Sequence, residues 1–134
     1  MSYPGFKVPQ TRDPLKYARN HGSAKYGVGH WWVQRVTAAA LIVLGLWFVC
    51  TLLGMLGSDY AAAREVLARP WNAVLMIAFT STAFWHAQLG LQVVIEDYVH
   101  VRWKEVVLMV VIKLLAVLFA LACALAVLRV ALGG

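Results

Sequence analysis

Charged residues cut this chain into long apolar stretches. No charge falls between Arg35 and Asp59, so Val36 to Ser58 is the first. None falls between Arg69 and Glu96, which makes Pro70 to Ile95 the second. The third, Val106 to Leu132, is interrupted only by Lys113 and Arg129. Each exceeds the ~20 residues that a helix needs to cross a bilayer. The pattern predicts an all-α membrane protein with three transmembrane helices, over about 33–57, 71–95 and 106–131. Between the first two, Ser58-Asp59-Tyr60 and the run Ala61 to Ala68 predict a short interfacial helix ended by Pro70. Residues 1–30 are polar, and Pro4, Pro9 and Pro14 argue against a long helix there. They lack the apolar core of a signal peptide and the Arg- and Ser-rich amphipathic pattern of a mitochondrial presequence. They are expected to be a retained N-terminal tail, extended and either mobile or docked on a partner, with residues 31–134 forming the membrane domain.

Composition supports this division. The chain has 134 residues, of which 62% are hydrophobic and 13% charged. Soluble domains carry about 45–50% and about 25%, and a chain this short cannot hide so much apolar surface. A disordered chain, a disulfide scaffold and an ordinary soluble enzyme are excluded. Cys50 and Cys123 each stand alone within apolar stretches, so they read as packing residues without a redox or metal role.

The net charge of +6 would suggest nucleic acid in a soluble protein. Here the charges flank apolar runs and report topology instead. Lys7, Arg12, Lys16, Arg19, Lys25, Arg35, Arg102 and Lys104 fall on one side, and Arg64, Arg69 and Arg129 on the other. Eight against three places the N-terminus in the cytoplasm and the C-terminus in the periplasm. Lys113 and Arg129 are expected to snorkel to their nearer interfaces.

Three helices alone enclose too little for a transport path or an active site, so attention falls on polar groups at membrane depth. Such groups usually face protein and mark function. His86 lies well inside the second stretch. It can be a histidine hydrogen-bonded to a neighbouring helix, or an axial haem ligand, because neutral imidazole binds iron well. At ~100° per residue, Thr82, Ala83, Gly90 and Asp97 share its face. Gly90 leaves a gap that suits a flat macrocycle or a close helix partner. Asp97 lies about 16 Å along the axis from His86. With Tyr98 it forms an acid–phenol pair at the cytoplasmic boundary, where a phenol can donate to a quinone carbonyl. Glu96 reads as a polar cap. Arg35, within His30-Trp31-Trp32-Val33-Gln34-Arg35, is either a snorkelling interface arginine or a partner for a haem propionate.

Two motifs carry a resemblance that covers nearly the whole chain from about residue 22. Gly22-Ser23-Ala24-Lys25 and then Gly29-His30-Trp31-Trp32-Val33-Gln34-Arg35-Val36-Thr37-Ala38 open the first span. His86, ten residues, then Asp97-Tyr98 mark the second. The chain resembles the D-type hydrophobic membrane anchors of succinate dehydrogenase, respiratory complex II. The resemblance implies a bacterial inner-membrane complex with a flavoprotein subunit, an iron–sulfur subunit and a C-type cytochrome b anchor. It implies a haem b shared by the two anchors, with His86 as this chain's axial iron ligand. Arg35, His30 and Gly90 would lie in the cofactor site, and Tyr98 and Asp97 in a site that reduces ubiquinone. The chain would be a non-catalytic subunit that holds the soluble subunits at the membrane. Two rivals remain: the anchor of a quinol:fumarate reductase, and a cofactor-free structural or transport subunit.

Overall fold

The computed structural model describes residues 24–133, all in helices and short connections. The sequence expectations for the polar tail up to residue 23, including the Gly22-Ser23 start of the first motif, lie outside the described residues. Four helices follow one another: α1 (Ala24–Gly54), α2 (Tyr60–Ala68), α3 (Pro70–Tyr98) and α4 (Arg102–Ala131). Three of them, α1, α3 and α4, are long and apolar enough to cross a membrane. They overrun the uncharged stretches because a helix continues through the polar boundary once its backbone hydrogen bonds are propagating. Thus α1 already runs at Ala24 and takes in His30 and the paired tryptophans, which the sequence reading divided between tail and first span.

Local chemistry sets the joints. Gly57 turns the chain after α1 with φ of +83°, a conformation that costs a side-chain-bearing residue energy. Asp59 caps α2 by accepting a hydrogen bond from the Ala62 backbone N–H at 2.8 Å, an interaction worth about 1 kcal/mol. Arg69 closes α2 and opens α3, and Pro70 occupies the first turn of α3, where its missing N–H costs nothing. The Asn72 amide donates to the Val66 carbonyl at 2.8 Å and ties the short helix to the long one.

The central helix is α3. It packs against both α1 and α4, while among the described residues no Cα of α1 comes within 8 Å of α4. The α1–α3 contacts run antiparallel: Phe48 stacks on Phe79 at 4.7 Å, and one end on, Gln34 meets His86. On the opposite flank Phe84 stacks on Phe119 of α4 at 5.8 Å. A sheet-like row of three helices has almost no interior. Among the described residues only Ala73, Leu89 and Ile95 are buried apolar residues, and α1 and α4 bury nothing of their apolar windows. Cys50 is exposed rather than packed, and Cys123 is half-buried in a crevice with Leu67, Met76 and Thr80. This exposed surface is stable only against lipid or other apolar helices.

Candidate functional site

His86 lies 16 residues from the start of α3 and 12 from its end, inside the apolar layer and half-buried. It faces α1. Its Nδ1 sits 2.9 Å from the Thr37 hydroxyl. Its Nε2 lies 3.4 Å from the Gln34 side-chain nitrogen, beyond the usual hydrogen-bond range. Thr37 is held in turn by its own helix, with its hydroxyl 2.9 Å from the Val33 carbonyl and 3.0 Å from that of Gln34. A helix–helix bond of the bland kind is therefore present, and it engages Nδ1.

The same stripe of α1 carries two buried polar atoms without a partner, His30 Nε2 and Gln34 Oε1. Positions 30, 34 and 37 follow the spacing of one helix face, and that face meets α3 beside His86. Gly90, one turn on from His86, lies under Gln34: a Cβ built there would stand 3.8 Å from the Gln34 side-chain nitrogen. That is ordinary contact, so a methyl fits and a larger side chain has to displace Gln34.

The other expected residues stand apart. Arg35 is exposed and lies over the Trp31 ring, 4.3 Å from its centroid, with no bond to His86. Asp97 and Tyr98 end α3 and are exposed, Tyr98 at 78%. The Tyr98 carbonyl accepts from His100 Nδ1 at 3.2 Å, which fastens the turn into α4. Among the described residues no three His, Cys, Asp or Glu groups gather to hold a bare ion.

Sequence reasoning gave Gln34 and Thr37 no role, and both touch or approach His86. The signal was present as the 30-34-37 polar periodicity in a helix otherwise built for lipid. A second polar stripe also escaped it. Gln88 donates to Gln92 at 3.3 Å, and Gln92 donates to Glu96 at 2.9 Å. Glu96 therefore ends a ladder and is more than a cap. Gln88 and Gln92 line a groove of about 520 Å³ between α3 and α4, together with Lys113, Phe84 and Val117.

Comparison with known proteins gives a consistent result. Residues 9–126 match the family model described as succinate dehydrogenase/fumarate reductase transmembrane subunit. The chain is 38% identical over 116 residues to the succinate dehydrogenase hydrophobic membrane anchor subunit of Rickettsia bellii, covering 87% of this chain and 93% of that one. It is 31% identical over 85 residues to the subunit of the same name from Paracoccus denitrificans, covering 63% and 66%. It is 29% identical over 96 residues to the succinate dehydrogenase membrane anchor subunit of Reclinomonas americana, covering 69% and 80%. No solved structure gives a significant match.

Proposed function

The chain belongs to the family of succinate dehydrogenase/fumarate reductase transmembrane subunits, and within it we propose that this chain is the D-type anchor of a succinate:quinone oxidoreductase, co-ligating haem b and bordering the quinone site. With three apolar helices and bacterial relatives of this kind, it is a multi-pass protein of the inner membrane. The observation that carries the reading is His86, half-buried at membrane depth against a polar stripe of α1 that holds two unpartnered buried atoms.

Those groups suit a haem. Leaving a buried polar atom unpaired costs about 1–3 kcal/mol, so the buried His30 ring nitrogen is better explained beside a group that accepts its N–H, as a propionate would. His86 offers a neutral imidazole. His86 would hold haem iron through one imidazole nitrogen, with a second ligand coming from the C-type anchor. Haem b, when bound, supplies a one-electron relay and links the two anchors. Arg35, exposed over the Trp31 ring, would supply the positive charge that propionates require by turning its long side chain, and His30 would supply a ring N–H. Gly90 keeps side-chain bulk away from the ligand.

At the end of α3, Tyr98 offers a phenol O–H to a quinone carbonyl, and Asp97 a carboxylate that can hold or move a proton. The charge bias places this end in the cytoplasm, where an iron–sulfur subunit can deliver electrons and the basic tail can meet a soluble partner. The relatives named above are all succinate dehydrogenase subunits, which favours ubiquinone reduction over fumarate reduction.

Affinity purification of the tagged chain from detergent-solubilised membranes tests the assignment. A flavoprotein, an iron–sulfur protein and a second anchor should co-elute with succinate:quinone activity. Elution of the chain without succinate-oxidising activity would overturn it.

A further inference from the structure

We propose that Thr37 is a positioning residue that fixes the tautomer of His86, holding the proton on Nδ1 and leaving the Nε2 lone pair for a metal. The inference rests on the reading of His86 as a haem ligand and adds a residue of α1 to that site.

The argument is a count of protons. A threonine hydroxyl has one hydrogen to donate and lone pairs to accept with. The Thr37 hydroxyl lies 2.9 Å from the Val33 carbonyl and 3.0 Å from the Gln34 carbonyl. Carbonyl oxygens only accept, so the hydroxyl hydrogen is shared between them, as helix threonines commonly do. With its hydrogen engaged there, the hydroxyl meets the third contact, His86 Nδ1 at 2.9 Å, as an acceptor, and Nδ1 is the donor. A neutral imidazole carries one N–H, so Nε2 keeps a free lone pair. The contact made by that atom is the long 3.4 Å approach of the Gln34 amide nitrogen, a donor that agrees with a lone pair there. Metal-bound histidines almost always donate their second N–H to such an acceptor, which fixes ring orientation and strengthens the ligand. Here the acceptor comes from a different helix, so the α1–α3 contact itself aims the ring.

The opposite assignment has Thr37 donating to Nδ1 and His86 Nε2–H donating to a turned-over Gln34 amide. In that form Nε2 is blocked, and Gln34 is the residue that controls the ring.

The test is redox titration and electron paramagnetic resonance of haem in the intact complex, for Thr37→Val, Thr37→Ser and Gln34→Leu. Removing an acceptor from Nδ1–H weakens imidazole donation, which favours ferrous over ferric iron. Thr37→Val should raise the haem midpoint potential and shift the ferric low-spin signal. A tenfold change in the ferric–ferrous preference corresponds to about 59 mV. Thr37→Ser keeps the hydroxyl and should restore the wild-type potential and signal, and Gln34→Leu should shift both less than Thr37→Val does. If Thr37→Val fails to retain haem, wild-type values in Thr37→Ser together with retained haem in Gln34→Leu support the proposal. A wild-type potential in Thr37→Val overturns it, as does a Gln34→Leu shift larger than that of the threonine variants. A wild-type complex that contains no haem overturns the functional reading and this inference with it. A haem that is present but indifferent to Thr37 overturns this inference alone.

Discussion

Tyr98 ends α3 with its side chain 78% exposed, beside an exposed Asp97. An aromatic ring at a membrane boundary has an ordinary explanation in the interfacial belt, and a single substitution separates that from a quinone contact. Tyr98→Phe keeps the ring and removes only the hydroxyl. A neutral hydrogen bond is worth ~0.5–1.5 kcal/mol, and an acceptor left unpaired costs about 1–3. At about 1.4 kcal/mol per decade, quinone reduction should fall by about one to two decades. Succinate oxidation with a soluble dye that accepts electrons upstream should hold, and so should the haem spectrum. An unchanged quinone rate and unchanged inhibitor affinity would make Tyr98 a belt residue only. The residue scale is also where the sequence is least legible. His86 stands out because an ionisable group inside a lipid layer is costly. Gln34 and Thr37 do not stand out, because an uncharged polar residue near the start of an apolar stretch costs little until its rotation against another helix is known. Their importance comes from the α1–α3 contact, which periodicity along one helix cannot supply.

The three long helices were legible for the opposite reason. Lipid tolerates so few charges that Arg35, Asp59, Arg69 and Glu96 bound the first two spans almost by themselves. The short α2 was legible too, since Asp59 is a good N-cap and Pro70 a good start for the next helix. What the sequence leaves open is lateral order. That α3 sits between α1 and α4 follows from which faces carry the stacked pairs Phe48–Phe79 and Phe84–Phe119. The vertical order can be tested directly. With Cys50 and Cys123 replaced by alanine, Ser58→Cys in the α1–α2 connection should react with a membrane-impermeant maleimide in sealed right-side-out vesicles. His100→Cys in the α3–α4 turn should react only after the vesicles are opened. The reverse pattern would invert the chain and move Tyr98 to the periplasmic side, away from a cytoplasmic electron donor.

At the scale of the molecule, the described residues form a row of three long helices with three buried apolar residues among them and large aliphatic side chains exposed along every span. A surface of that kind is completed by lipid and by other helices, as expected of one anchor among several subunits. Haem shared across that surface would join the anchors through a ligand from each, with His86 as the contribution proposed for this chain. The most direct test is the reduced-minus-oxidised visible spectrum of the purified complex carrying His86→Leu beside wild type. Wild type should show the sharp band of a six-coordinate b-type haem, and the variant should lose it, through loss of haem or a changed coordination state. An unchanged bis-histidine spectrum in His86→Leu would contradict the assignment of this chain as a haem-ligating anchor.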